Sequence, residues 1–258
     1  MNSSASKIQV SGFRDLFQLD SGVKSDAEQV REIPLAELYP FKGHPFQVRD
    51  DDAMRKTVES IAERGVLSPG IARPRPEGGY ELISGHRRKR GSELAGRTTM
   101  PVLVRDLDDD EAIIIMVDSN LQREKILPSE KAFAYKMKLE AIKHQSKRTD
   151  LTLVRGVPKL PAREQIAQDA GEKSGVTVTR YIALTKLIPP LLAMVDEAKL
   201  AVSTAADYIS PLTEQEQADL ITVMGRLDII PAKGQLAKIK KHSAEGTLTI
   251  TVIETLLS

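Results

Sequence analysis

The chain has no cysteine and no tryptophan, and only 4% of its 258 residues are aromatic. Without cysteine there is no disulfide scaffold, no thiol nucleophile and no cysteine-based zinc finger. The four histidines, His44, His86, His144 and His242, are scattered without metal-ligand spacing, so a protein-built transition-metal site is not expected. Few aromatics leave little material for binding single strands by base stacking. No run approaches eighteen apolar residues, and Met1 to Ser11 lacks the basic-then-apolar order of a secretory signal. Membrane contact and export are therefore not expected, and the cytoplasm is the default location.

Charge is nearly balanced overall, with 37 basic against 36 acidic side chains, but its distribution is not. Residues 129–192 carry 12 basic and 6 acidic groups, an excess found in no other stretch. Such a local cationic zone suits a polyanion, because each neutralised phosphate releases a condensed counterion. Duplex nucleic acid becomes a candidate partner.

Residues 1–30 are rich in Ser, Asp, Gln and Gly and read as a flexible tail. Within it Gly12-Phe13-Arg14-Asp15-Leu16-Phe17 groups Phe13, Leu16 and Phe17, as a docking peptide, a weak membrane foothold or a chance apolar cluster. Residues 31–127 read as an α+β unit. It holds an extended Ile33 to Leu35 and a helix opened by Asp50 to Asp52, with Met54, Val58, Ile61 and Ala62 on one face and Gly65 as its stop. Strands follow at Gly70 to Arg73 and Tyr80 to Ile83 around the turn Pro76-Glu77-Gly78-Gly79, then a helix from His86 to Ala95, a strand from Met100 to Arg105, and a buried helix at Ala112 to Val117. Beyond Leu127 strand signals nearly vanish. A long helix covers Ser129 to Gln145, a loop runs from Arg148 to Pro161, and residues 128–212 form a helical unit. Residues 213–258 read as a helical extension in which Thr247 to Val252 is a candidate strand.

Three constellations carry chemistry. Ser84-Gly85-His86-Arg87-Arg88-Lys89-Arg90 sits between a strand and a helix, where a glycine, unpartnered helical N–H groups and fork-shaped donors could hold a phosphate chain. The same run also fits a solvated basic helix face. Ser119-Asn120-Leu121-Gln122-Arg123-Glu124 clusters polar groups at a helix end, either facing a ligand or capping a turn. Arg163 to Leu187 has helix-turn-helix order: Ala167 allows close approach, Gly171 turns the chain, and the next helix carries short polar and basic side chains. Arg163, Gln165, Ser174, Thr177, Thr179, Arg180 and Lys186 are its candidate DNA contacts, with Val178, Ile182 and Leu187 facing inward.

Taken in order, Ile33-Pro34-Leu35, Pro45-Phe46-Gln47-Val48-Arg49, Gly65-Val66-Leu67-Ser68-Pro69, Gly85 to Arg90, Asn120 to Glu124 with Pro128 and Glu130, and then the helix-turn-helix, the sequence resembles the ParB/Noc family of bacterial partition proteins over residues 31–212. The resemblance implies an α+β N-terminal domain of the ParB-like nuclease/sulfiredoxin fold that binds CTP with Mg2+. It further implies an all-α helix-turn-helix domain that recognises a palindromic centromere-like site in double-stranded DNA, and a homodimer that CTP closes into a sliding clamp. By matched position, Gln47 and Arg49 belong to the first nucleotide motif. Ser84, Gly85, His86, Arg87, Arg88 and Arg90 form the triphosphate site, and Asn120, Arg123 and Glu124 form the third motif, with Asn120 near the metal. A ParA-like ATPase reached through the tail and a nucleoid-associated location also follow. A nucleoid-occlusion factor or a nucleotide-gated transcriptional regulator is the alternative built from the same parts.

The sequence departs from the family pattern at His86 and Ser119, which stand where glutamates are usual, so CTP hydrolysis is expected to be slow or absent. One residue more than the common spacing lies between Gly171 and Val178. The family's C-terminal dimerisation segment has no counterpart before Ser258, so either other surfaces make the dimer or the sequence stops short of that segment. Sulfiredoxin-like reductase chemistry is excluded by the missing thiol.

Overall fold

A computed structural model describes residues 29–123, 125–149 and 160–258. The Phe13–Phe17 cluster and Glu124 lie outside the described residues.

The first half builds one five-stranded sheet from β1 (Val30–Pro34), β2 (Leu38–Pro40), β3 (Gly70–Pro74), β4 (Tyr80–Ser84) and β5 (Thr99–Val104), in the order β1-β5-β3-β4-β2. The central pair β3 and β4 is the expected hairpin, closing with Pro74 opposite Tyr80 and the Arg75 N–H donating to the Gly79 carbonyl at 3.1 Å. β1 runs antiparallel to β5, while β3 with β5 and β2 with β4 are parallel pairs that need crossovers. Those crossovers are α1 (Asp52–Arg64) and α2 (His86–Leu94). Helix α1 is capped by Asp51, whose carboxylate accepts from Met54 N at 2.9 Å, and ends at Gly65, where φ is 71°. It buries Met54 and Ile61, but Ala62 is exposed, so the apolar face is narrower than the sequence pattern implied.

Helix α3 (Asp109–Leu121) is longer than the apolar run Ala112 to Val117. Asp108 and Glu111 form a reciprocal capping box that starts the helix three residues earlier. Its Ala112, Met116 and Val117 pack with Phe41, Phe46, Ile71 and Ile83 beneath the sheet. Helix α4 (Pro128–Thr149) exceeds the expected Ser129 to Gln145 at both ends. It packs on α3 and also on α5 (Ala162–Asp169) and α6 (Gly175–Ala183), so one helix serves both halves of the chain.

The rest of the described chain is helical. α7 (Pro189–Asp196), a single turn α8 (Val202–Thr204) running into a π-helical turn at Ala205–Ile209, α9 (Glu214–Leu227), α10 (Lys233–Ala244) and α11 (Ile250–Leu257) enclose a second core around Leu191, Leu220, Leu236 and Ile253. The candidate strand at Thr247 to Val252 is instead a cap and the first turn of α11. The Thr249 hydroxyl accepts from Val252 N, and Ile253 and Leu257, four residues apart, both need burial. A helix places those two on one face, whereas a strand would need alternate residues inward. No helix among the described residues is long and apolar enough to cross a membrane.

Candidate anion-binding cavity and helix-turn-helix

Strand β4 hands the chain to α2 through Gly85, whose φ of 107° is a conformation that side-chain-bearing residues rarely adopt. A β-carbon there would lie 3.2 Å from the Gly70 Cα, so glycine is required by both torsion and space. The basic side chains that follow do not act alike. Arg87 reaches Asp51 at 3.3 Å and Arg90 pairs with Asp50 at 2.6 Å, both acids lying at the start of α1. Arg88 turns back, donating to the carbonyls of Ser68 and Pro69 at 2.6 Å each. Burial holds its guanidinium below the ordinary value, and it fixes the loop entering β3.

His86 is also turned inward. Its ring lies 4.0 Å from that of His44, and its Nε2 faces the Phe41 N–H at 3.4 Å. Burial, with the nearby His44, Lys89 and Arg88, pushes its pKa down to about 3, so it is neutral at physiological pH. The His44 Nδ1 bonds the Phe46 carbonyl at 2.8 Å, and its Nε2 is buried with no partner among the described residues.

A cavity of about 690 Å³ opens beside this helix start, within the range of ordinary ligand sites. Its wall gathers Gln47 and Arg49, Arg87, and Arg123, from three segments far apart in sequence, and adds Lys125 just after the last of them and Lys131 and Ala170 from the helical half. Five cations thus face two carboxylates, Asp51 and Glu130. Both carboxylates are already committed, Asp51 to the α1 N-terminus and Glu130 to Gln47 N at 2.8 Å and Leu127 N at 3.0 Å. Burial lowers the pKa of Arg123, and Arg87 and Arg49 push the same way against Glu130 and Asp51. Arginine stays charged regardless; Arg87 is partly answered by Asp51 at 3.3 Å and Lys131 by Glu172 at 2.8 Å, which leaves the lining with a net excess of positive charge suited to a polyanion.

Of the proposed nucleotide residues, Gln47, Arg49, Arg87 and Arg123 line this cavity, whereas Ser84, Gly85, His86, Arg88, Arg90 and Asn120 do not. Ser84 is buried in β4, and Asn120 donates its amide to the Met116 carbonyl at 2.8 Å. Sequence reasoning did not single out Lys125 or Lys131, nor Glu130 as the carboxylate that fastens the Gln47 backbone to α4. The wide separation of these residues in the chain left no local signal.

The helix-turn-helix is α5, a turn at Ala170–Ser174, and α6. Gly171, at φ 66°, closes α5 with Glu172 N donating to the Ala167 carbonyl at 2.8 Å. Ala167 and Val178 are buried as expected, and Gly175 sits close against α5, where an added β-carbon would lie 3.1 Å from the Arg163 β-carbon and would displace the Glu164 carboxylate. Leu187 is buried, whereas Ile182 is only partly so. Arg163, Gln165, Thr179 and Lys186 are exposed, and Ser174 and Thr177 are half-buried. Arg180 is not free: its Nε and a terminal nitrogen donate to the two oxygens of Asp207 at 3.1 and 2.9 Å.

The model of the ParB N-terminal domain matches residues 20–121. The chromosome-partitioning protein Spo0J of Thermus thermophilus is 32% identical over 226 residues, spanning 86% of this chain and 76% of its own. The chain belongs to the ParB family. A probable chromosome 1-partitioning protein ParB of Deinococcus radiodurans is 35% identical over 191 residues, and the chain spans 58% of that relative's length. C-terminally truncated ParB from Caulobacter crescentus has been solved complexed to the centromeric parS site, with 24% identity, a TM-score of 0.48 and coverage of 88% of this chain and 98% of that one. It has also been solved with CTP-gamma-S, with 28% identity, a TM-score of 0.35 and coverage of 72% and 94%.

Proposed function

We propose that the protein is a nucleoid-associated partition factor that binds a palindromic centromere-like site in double-stranded DNA as a homodimer, and that CTP in the 690 Å³ cavity gates this binding. The cavity carries the reading. It joins the three separated motifs to Lys131 and Ala170 of the helical half, so a bound triphosphate touches both halves at once. Arg49, Arg87 and Arg123 hold phosphate oxygens, and an entering anion offsets the repulsion among them that Asp51 and Glu130 answer only in part. The choice of cytosine rests on the family resemblance.

Among the described residues no group of three His, Asp or Glu side chains could hold a metal ion. Magnesium would be carried by the phosphates, and Asn120, which the family resemblance puts near the metal, keeps its amide nitrogen on the Met116 carbonyl and stands outside the cavity lining. Hydrolysis is slow or absent, because His86 and Ser119 stand where the family has glutamates and His86 is turned toward His44 rather than toward the cavity. A ParA-like ATPase is contacted through the tail, residues 1–30.

The test is nucleotide retention by purified protein with magnesium, comparing CTP with ATP, GTP and UTP, with and without duplex DNA. Selective CTP retention, lost at least about tenfold in Arg87→Ala, supports the reading, since a charge-assisted contact is worth roughly 1.5–3 kcal/mol. No retained nucleotide under any condition overturns the gate and leaves a helix-turn-helix DNA binder. Genome-wide occupancy that spreads over kilobases supports partition or occlusion, and sharp promoter peaks support a transcriptional regulator instead.

A further inference from the structure

Helix α6 turns Val178 and Gly175 into the core, which leaves Val176 and Arg180, one turn apart, on the opposite side. The two are unusual in different ways. Val176 is 60% exposed, a β-branched apolar side chain presented to water at the start of a nine-residue helix. Arg180 is held in one orientation by Asp207 through its Nε and one terminal nitrogen, at 3.1 and 2.9 Å. That pairing occupies one edge of the guanidinium. The adjacent edge, made by the two terminal nitrogens, keeps the parallel N–H pair that fits two acceptors side by side.

Asp207 itself is specially placed. It lies in the π-helical turn Ala205–Ile209, where the Ser210 N–H bonds back five residues to the Ala205 carbonyl at 2.8 Å. Such one-turn expansions recur at functional sites because they redirect a side chain that regular helix would aim elsewhere. The Asp207 backbone carbonyl is tied down in turn, accepting from the Lys240 ammonium of α10 at 2.9 Å. An isolated surface ion pair needs none of this support, since it contributes little to stability.

We infer that α6 reads a thymine methyl with Val176 and the O6 and N7 acceptors of a guanine with Arg180 in the major groove, and that Asp207 is the positioning residue that fixes the guanidinium for that contact. Both pairings follow from base-edge chemistry: a guanidinium fork matches guanine, and an exposed apolar side chain matches the thymine methyl. The inference rests on the DNA-binding reading given above and names what that helix recognises.

The experiment is selection from a randomised duplex library with full-length protein, followed by affinity measurement on the selected site and on single-base variants. Wild type is compared with Asp207→Asn, Arg180→Lys and Val176→Ala, and the thermal midpoint of each is recorded. Asp207→Asn and Arg180→Lys are expected to lose about tenfold or more of the preference for guanine at one shared position, and Val176→Ala to lose preference at a thymine. Affinity for non-specific duplex, its salt dependence and the thermal midpoint are expected to stay near wild type. Equal weakening on every sequence, unchanged preference, or tighter binding by Asp207→Asn overturns the inference, the last marking Asp207 as a competitor of DNA. A wild type that selects no sequence fails the DNA-binding reading itself, an outcome visible before any variant is compared.

Discussion

Lys138 of α4 places its ammonium 2.6 Å from the Asp169 carboxylate of α5 although its side chain is only 1% exposed. Asp118 of α3 takes the same ammonium from the other side at 2.5 Å. Helix α3 ends in the segment that carries Asn120 and Arg123, and α5 is the first helix of the helix-turn-helix. One buried cation therefore ties the cavity wall to the helix-turn-helix.

Replacing Lys138 with Met is expected to cost about 3 kcal/mol, because it leaves two partly buried carboxylates facing each other without their cation. Burial already holds the Asp118 carboxyl above its ordinary pKa, with Lys138 pulling it down and Asp169 pushing it up. Without the lysine that pKa rises further. The native state then binds more protons than the unfolded state above the ordinary carboxylate range, so stability rises as pH falls toward it. Urea unfolding at pH 7 and pH 5 checks this, and the deficit of the variant should shrink at the lower pH.

The buried imidazole of His86 gives the opposite pH dependence. Its folded pKa of about 3 lies below the ordinary 6.5, so the unfolded state binds the extra proton between those values. Its contribution to stability is complete above pH 6.5 and declines by about 1.4 kcal/mol per pH unit on acidification toward 3. His44, also lowered mainly by burial, adds a slope of the same sign. His86→Gln should flatten the pH dependence measured by denaturant titration between pH 7 and 4, leaving the smaller slope of His44.

Glu130 fastens two backbone donors, Gln47 N and Leu127 N, from a side chain that is itself buried. Glu130→Ala strands both, at a cost of about 2–4 kcal/mol. Glu130→Gln keeps one acceptor and is expected to cost roughly half as much. If the cavity binds the triphosphate, Glu130→Ala also weakens nucleotide retention by loosening Gln47. Filter binding at saturating and limiting nucleotide separates that loss from simple unfolding.

Gly85→Ala places a β-carbon 3.2 Å from the Gly70 backbone at a φ of 107°. A destabilisation of about 1–3 kcal/mol is expected from the strained torsion alone. Calorimetry should show a lowered midpoint, and if the cavity binds the triphosphate, nucleotide retention should fall as the start of α2, which carries Arg87, shifts.

Local chemistry made much of this fold legible. The Pro76–Gly79 turn between two apolar runs specifies a hairpin, Gly65 and Gly171 mark helix ends, and the Gly85-His86-Arg87 junction marks a strand handing over to a helix. Each depends on residues within one turn of each other, where torsional preference and hydrogen bonding act without help from the rest of the chain. The boundaries of α3 and the identity of α11 were less accessible. Capping by Asp108 and Glu111 set the start of α3, while the Thr249 cap and the need to bury Ile253 and Leu257 outweighed the β-branched composition of Thr249 to Val252.

The sequence by itself determined the order of the motifs, the α+β half followed by helices, and the concentration of positive charge in residues 129–192. Only the tertiary structure decided which members of a basic run line the cavity. Arg87 and Arg88 are neighbours in sequence, yet one lines the cavity and the other pins a loop. Adjacent positions on a helix point about 100° apart, so equal chemistry is sent to unequal surroundings. Arg180 with Asp207, and Lys138 with Asp118 and Asp169, meet across 20 to 31 residues of chain. Such pairs are set by how whole helices pack, which no local pattern of residues records.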